Sequence, residues 1–378
     1  MILPNNNNNN NNIGSSFSPG GLLLPYHMGV ADCLIQKKYL NPFESIVGGS
    51  SAGSIAAMAI GCGLDGIKGL EGTISISDNC ISQNKNARGN LLPLLKEQMK
   101  LLVGDTEYDF LKLRQQNYID KTTNGNNNNN GNGNGNDSDI DIDIDYGTGV
   151  CIAYKEIFPL RKSHFQTKFN NRNDFFNTVG YSCMFPFFTT NYPFIIENNM
   201  NMNNNMNNEN INDNLNNDAN NDASNNDSTK SRLQLPRFLM DGYFSLPREQ
   251  FGCPIFEKDV FRNNNADNAD NVVVDRTVAI TCIPQELFGM DAVFNNNNNN
   301  NKGKGKGEGE EGTSNNLISI STDDKFTVAD IFRIATETSS RKELTDLYER
   351  GYRDGEKWCR TEEQQQKQQK IENNLLIL

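Results

Sequence analysis

The sequence predicts an α/β fold, a sheet covered by helices. Three observations lead there. Short apolar runs alternate with segments of helical spacing. A small-residue turn, Gly49-Ser50-Ser51-Ala52-Gly53, joins one such run to a helix. Asn-rich tracts fall between these elements, where loops tolerate insertion.

Taken in order, Tyr26 to Leu40 carries Val30, Ala31, Leu34 and Ile35 at helical spacing, and Asn41-Pro42 should end that helix. Ser45-Ile46-Val47-Gly48 has the length of a buried strand. Ser54 to Ile60 is small and apolar all round, as a core helix is. Asn90 to Leu113 reads as helix with a break near Gly104. Thr148 to Tyr154 is a strand candidate, and Phe175 to Met184 a helix stopped by Phe185-Pro186. Arg237-Phe238-Leu239-Met240 and Thr277 to Thr281 are further strands. Thr327 to about Ile371 is helical in pattern, with Thr327 as its cap, Asp330 in its first turn and a stripe of Ile331, Ile334 and Ala335.

The chain has 378 residues and a formal charge of -12. Polar tracts at Asn5–Asn12, Asn124–Asn136, Asn198–Asn226, Asn263–Asn271 and Asn295–Asn301 cannot bury enough apolar surface to offset chain entropy. Without them and their charged flanks roughly 280 residues remain, enough for one large domain and a tail. The expected layout is a catalytic-type domain over 13–294, with disordered insertions at about 124–145, 198–230 and 263–271, then a low-complexity linker at 295–316 and a mainly helical region at 317–378. The alternating Asp/Ile run Asp137–Asp145 belongs to an insertion. No basic patch suits nucleic acid or an anionic bilayer. The Gly/Lys run Lys302–Lys306 is offset by Glu308–Glu311. The eight cysteines form no CxxC pair and the chain has two histidines, so neither a zinc site nor any other metal or cofactor is expected. Reduced buried thiols, no visible signal peptide and no bilayer-length apolar run point to a cytoplasmic protein.

Gly49-Ser50-Ser51-Ala52-Gly53 fits G-x-S-x-G. A strand that turns sharply into a helix needs small residues on both sides of the central serine, because larger ones collide across the turn. The free N–H groups of the helix start favour a developing oxyanion beside Ser51. An ordinary Gly/Ser turn would carry the same letters. A base for Ser51 is usually histidine. His164, in Arg161-Lys162-Ser163-His164-Phe165, has no turn or strand end to present it, and His27 lies within a helix as a packed or hydrogen-bonded imidazole. A carboxylate is the better candidate. Of three Asp-Gly steps, Asp65-Gly66 lies past the far end of the helix after Ser51, and Asp354-Gly355 sits in the charged C-terminal region. Asp241-Gly242 directly follows a strand. Asp241 also suits a plain loop-capping role. For the oxyanion, Ser18-Pro19-Gly20-Gly21-Leu22 precedes a helix and lets backbone N–H groups approach a ligand, although a tight turn needs glycine too.

Together these segments resemble the patatin-like phospholipase family. Phe17-Ser18-Pro19-Gly20-Gly21-Leu22-Leu23-Leu24-Pro25-Tyr26-His27-Met28-Gly29-Val30 is similar to its glycine-rich oxyanion loop and following helix, the Tyr-His-x-Gly-Val part being closest to the animal acylglycerol-lipase branch. Val47-Gly48-Gly49-Ser50-Ser51-Ala52-Gly53-Ser54 resembles its nucleophile elbow. Asp241-Gly242 matches its Asp-Gly-Gly/Ala step, and Tyr181-Ser182-Cys183-Met184-Phe185-Pro186 the Ser/Ala-rich helix that ends in Pro before that Asp. The likeness spans about Ile13 to Pro284.

The resemblance implies a three-layer α/β domain with a mainly parallel central sheet and a Ser–Asp dyad without histidine. It makes Ser51 the nucleophile and Asp241 the base. It places the oxyanion hole at the N–H groups of Gly20, Gly21, Leu22 and Ala52. The implied activity is hydrolysis of fatty-acyl esters of phospholipids or acylglycerols, with the lipid met at a membrane or lipid-droplet surface. Three positions depart from the family: Pro19 replaces its first loop glycine, Leu24 its closing glycine, and Tyr243 its third small residue. They motivate the alternative of a catalytically impaired module that binds lipid or acts as a scaffold. A soluble esterase or transacylase on small substrates would share the site.

Overall fold

The computed structural model describes residues 13–83, 87–125, 149–197, 236–256, 274, 276–284, 287, 316–323 and 326–376. The Asn tracts, the Asp137–Asp145 run and the Lys302–Glu311 segment lie outside the described residues, apart from Asn124 and Gly125, the last two residues of a helix. The fold is α/β. A mixed, mostly parallel sheet carries helices on both sides, with a long C-terminal helix.

The strands are β1 (Ile13–Phe17), β2 (Val47–Gly49), β3 (Val150–Phe158), β4 (Ser163–Gln166), β5 (Ile195–Glu197), β6 (Arg237–Met240), β7 (Arg276–Thr281) and β8 (Leu317–Ser319). Their order is β5-β6-β3-β2-β1-β7-β8, with β4 on β3. β1 pairs in parallel with both β2 and β7, and β2 with β3. Apart from Arg276 at the start of β7, the central strands are apolar or small because both faces are covered. β3, β4, β5 and β6 pair antiparallel on one side.

The helices are α1 (Leu24–Gln36), α2 (Ala52–Gly61), α3 (Gly66–Ser82), α4 (Leu91–Leu102), α5 (Asp105–Gly125), α6 (Arg172–Ser182), α7 (Val328–Thr336) and α8 (Arg341–Leu376). α2 is buried along nearly its whole length, which explains its Ala- and Gly-rich sequence. Asp65 caps α3 by accepting from Lys68 N–H. The break near Gly104 is present between α4 and α5.

Several boundaries differ from the sequence expectation. α1 stops at Gln36, ahead of Asn41-Pro42, because Lys38 turns to φ 65° and the Tyr39 and Leu40 N–H groups bond back to Leu34 O. β3 continues to Phe158, since β4 and β6 pair with its far half. The C-terminal helical stretch is two helices separated at Glu337–Ser340. Thr327 caps the first in a reciprocal box with Asp330, and Ser340 O–H and N–H bond to Glu343 at the start of the second. β1, α3, β4, β5 and β8 had no clear sequence signal, being short or carrying mixed patterns.

α8 lies along α1 at close range. A Cβ on Gly29 would collide with Tyr348 O, and one on Gly351 with Tyr26 O. Tyr26 O–H donates to buried Asp354, which also accepts from Ser321. β8 pairs with β7, so this part of the chain shares the same sheet.

Candidate active site

Adjacent parallel strands place two loops side by side. Phe17 at the end of β1 pairs with Gly49 at the end of β2. The Ser18–Gly21 segment and the Gly49–Gly53 turn therefore leave the sheet at one level. Gly49 and Gly53 are required by contact: a Cβ at Gly49 would lie 2.6 Å from Gly53 C and Phe17 O, and one at Gly53 would strike Phe17 O. Ser51 between them has φ 53° and ψ −123°, a sparsely populated conformation for a residue with a side chain.

Four side chains hold that turn. Ser51 N–H donates to Ser182 Oγ at 3.0 Å. Ser54 Oγ donates to Ser51 O at 2.6 Å, and Cys183 Sγ to the same carbonyl at 3.4 Å. Ser50 Oγ donates to Gly252 O at 2.7 Å. The backbone can hold an awkward angle because its polar groups are occupied from outside the turn.

Asp241 reaches the same place by an antiparallel route. β2 ends opposite Ile152 of β3, but β3 runs on to Phe158. β6 returns along that extension, with Phe238 against Phe158 and Met240 against Lys155. Asp241 thus emerges near the level at which β2 ends. Its N–H donates to Met184 O at 2.9 Å, and a Cβ on the following Gly242 would sit 2.6 Å from Ser50 Cβ. The same three residues, Ser182, Cys183 and Met184, therefore hold both Ser51 and Asp241.

The Asp241 carboxyl is fully buried, and its two oxygens differ in their partners. Oδ1 caps its own turn by accepting from Tyr243 N–H at 2.8 Å. Oδ2 is buried without a regular hydrogen-bond partner among the described residues. Burial pushes the carboxyl up to about 7, against the Tyr243 N–H and the neighbouring Ser51 hydroxyl, which both pull it down. The Ser51 hydroxyl is thus near enough to act on the carboxyl electrostatically, although the two groups are not in regular hydrogen-bond geometry. The cap reading of Asp241 is realised through Oδ1.

The glycine loop is anchored below by His27. Its Nε2 donates to Ser18 O at 2.8 Å, and burial lowers the imidazole to about 4, so the ring is neutral at pH 7. Cys282 Sγ donates to Pro19 O at 3.3 Å. Pro19 packs on Gly252, where a Cβ would lie 2.7 Å from Pro19 Cδ. A Cβ on Gly20 would strike Cys282 Sγ and lie 3.7 Å from Ala52 Cβ, so the loop touches the serine turn. Leu23 N–H bonds to Gly20 O. The N–H groups of Gly20, Gly21, Leu22 and Ala52 make no regular hydrogen bond among the described residues. Leu24 is buried at the start of α1.

His164 is placed elsewhere. It lies on β4, stacked on Tyr154 at 4.8 Å, with Nε2 donating to Glu156 at 3.0 Å. Asp65 and Asp354 serve as the cap of α3 and the partner of Tyr26. Sequence reasoning missed the positioning roles of Ser54, Ser182, Cys183, Gly252 and Cys282. For all but Ser54, which bonds back three residues to Ser51 O, the signal is spatial, since each lies on a different segment from the group it holds.

Aromatic rings border the site. Phe185 follows Met184 and Phe244 lies three residues past Asp241, their ring centroids 5.5 Å apart and both rings exposed. A Cβ on Gly21 would lie 3.5 Å from Phe188 Cε1. Tyr243 turns its ring against Phe251, 5.6 Å between centroids, and contributes its N–H to Asp241. A large side chain is accommodated there for that reason.

Among the described residues no group of three or more His, Cys, Asp or Glu is placed to hold a metal, and no helix is long and apolar enough to cross a membrane. In comparisons with known proteins, no family model and no curated protein matched the chain.

Proposed function

We propose that this protein is a serine acyl hydrolase of the patatin-like type, using a Ser51–Asp241 dyad on fatty-acyl esters of phospholipids or acylglycerols. The reading rests on one observation above the rest: the strained serine turn lies beside a fully buried carboxylate with one oxygen unengaged. A carboxylate in water is a weak base, with a pKa of about 4. Poor solvation raises its basicity toward what proton transfer from an alcohol needs near neutral pH.

In this mechanism Asp241 Oδ2 takes the Ser51 proton as Oγ attacks the ester carbonyl. The carbonyl π electrons move to its oxygen, which the N–H groups of Gly20, Gly21, Leu22 and Ala52 stabilise. Collapse of the intermediate expels the alcohol, which takes up the proton from Asp241, and leaves an acyl-Ser51. Water then attacks with its proton passing to Asp241, and as the fatty acid departs that proton returns from Asp241 to Ser51 Oγ, restoring both groups. The exposed rings of Phe185 and Phe244 supply apolar surface for the acyl chain, which the protein would meet at a cytoplasmic membrane or lipid-droplet surface. Neither a metal nor nucleic acid has a part in this scheme.

Pro19 favours a second reading, a domain that binds lipid without turning it over, because proline removes a donor from the loop. Fluorophosphonate labelling decides. Labelling of the wild type, lost in Ser51→Ala and Asp241→Asn, with fatty acid released from phosphatidylcholine vesicles or triacylglycerol emulsion, is the expected result. A folded wild type that takes no label overturns the enzyme reading. Cleavage of 4-nitrophenyl butyrate without activity on either lipid replaces the lipid substrate with a small ester.

A further inference from the structure

We infer that a polar network beside the dyad, Tyr181–Glu197–Arg237–Glu156, holds Asp241 in register with Ser51, so that these are positioning residues; the inference rests on the dyad reading above. The links are short and specific. Tyr181 O–H donates to Glu197 Oε1 at 2.7 Å. Arg237 then forks, Nη1 to Glu197 Oε2 at 2.8 Å and Nε to Glu156 Oε2 at 2.9 Å. Glu156 also accepts from His164 at 3.0 Å and from Leu160 N–H at 3.2 Å.

The placement of the two ends carries the argument. Tyr181 immediately precedes Ser182, whose hydroxyl accepts from Ser51 N–H. Arg237 opens β6, and Asp241 follows directly on its end. The network therefore ties the segment that holds the serine to the strand that delivers the carboxylate. The Asp241 N–H bond to Met184 O closes the ring from the other side. β6 needs such a tie. It has four residues, its ladder to β3 is interrupted by a bulge between Glu156 and Phe158, and its other neighbour β5 has three residues.

The chemistry of the group fits positioning better than plain stability. The Glu156 side chain is almost completely removed from water, which disfavours its charge unless every oxygen is matched. Burial raises its carboxyl, yet Arg237, Leu160 N–H and His164 together keep it below the ordinary glutamate range. A guanidinium bridges two carboxylates at fixed angles, which an ammonium on a flexible stem does not. Rigid register matters because a displacement of about 1 Å between reacting groups costs on the order of a hundredfold in rate.

Two full-length variants test this. Tyr181→Phe removes one hydroxyl and leaves every charge paired. Glu156→Gln combined with Arg237→Gln removes both members of the buried pair, and the partly exposed Glu197 keeps the Tyr181 hydroxyl as its donor. With 4-nitrophenyl butyrate at a temperature well below unfolding, kcat should fall about tenfold or more while KM stays within about twofold. Amide exchange read by mass spectrometry should quicken in peptides containing Ser51 and Asp241 and stay unchanged in β7 and α8. Unchanged kcat and exchange in both variants, or exchange that quickens evenly across the protein as the melting point drops, would overturn the inference. Should the wild type prove inactive, the dyad reading fails by itself. The exchange pattern then still decides whether the network sets the register of the two segments.

Discussion

The two oxygens of Asp241 differ in their surroundings, one capping its own turn and the other buried without a partner among the described residues. The raised carboxyl has consequences of definite sign. As a base it must be ionised, so kcat/KM should rise with pH through about 7 and level off above. A rate profile flat from pH 5 to 9 would remove it as the base. The stability consequence runs the other way. Burial disfavours the charged form, so ionisation weakens the folded state, with a penalty that starts near an ordinary aspartate value of about 4 and is complete above the folded-state value. Asp241→Asn should therefore melt higher than wild type at pH 8 while being inactive, and the gain should vanish at pH 4. Gly20 is a second residue with a sharp expectation. A methyl there meets Cys282 Sγ, so Gly20→Ala should displace the loop and lower kcat about a hundredfold, the scale of one lost oxyanion donor. Adding Cys282→Ala frees the space and should recover part of that loss, which assays of the single and double variants will show.

Among the elements, the end of α6 does most to assemble the site. Ser182 accepts from the strained Ser51 amide, Cys183 donates to the Ser51 carbonyl, and Met184 accepts from Asp241. Ser182→Ala leaves a buried N–H without its acceptor, which costs about 1–3 kcal/mol. Urea unfolding should register that loss, with a fall in kcat beyond it as the serine turn relaxes. An unchanged midpoint would mean that Ser54 and Cys183 hold the turn unaided. The sequence placed this helix at Phe175–Met184, whereas it runs from Arg172 to Ser182, because Asn171 caps its start by accepting from Asp174 N–H. The task of Ser182 was not legible there, because a hydroxyl at a helix end more often bonds within its own helix.

At the scale of the molecule, α8 decides whether the loop side of the sheet is supported. α1, which carries the glycine loop at its start, lies against α8 with Gly29 and Gly351 at the points of closest approach. Gly351→Ala would push a methyl onto Tyr26 O. The helices would have to separate, at a cost of about 1–3 kcal/mol or more. Chemical denaturation should show it, whereas Glu372→Ala, on the exposed end of α8, should leave stability within about 0.5 kcal/mol. If Gly351→Ala is neutral, the α1–α8 contact is looser than its backbone distances imply.

By itself the sequence determined the α/β class, the strand Arg237–Met240, the buried helix after Ser51 and the Gly-x-Ser-x-Gly turn. Each of these depends on local pattern: apolar period, small residues where backbones touch, a cap before a helix. Its scarcity of histidine also directed attention to a carboxylate. Only the tertiary structure decided how that carboxylate comes to the serine. β3 outruns β2 and β6 turns back along the excess, so an antiparallel strand delivers Asp241 to the ends of parallel ones. Strand direction and register depend on which distant segment supplies the next ladder of hydrogen bonds, and no window of sequence contains both partners. The same holds for the clamp at Ser182 and for the tie through Arg237, which join residues more than a hundred and about eighty positions apart.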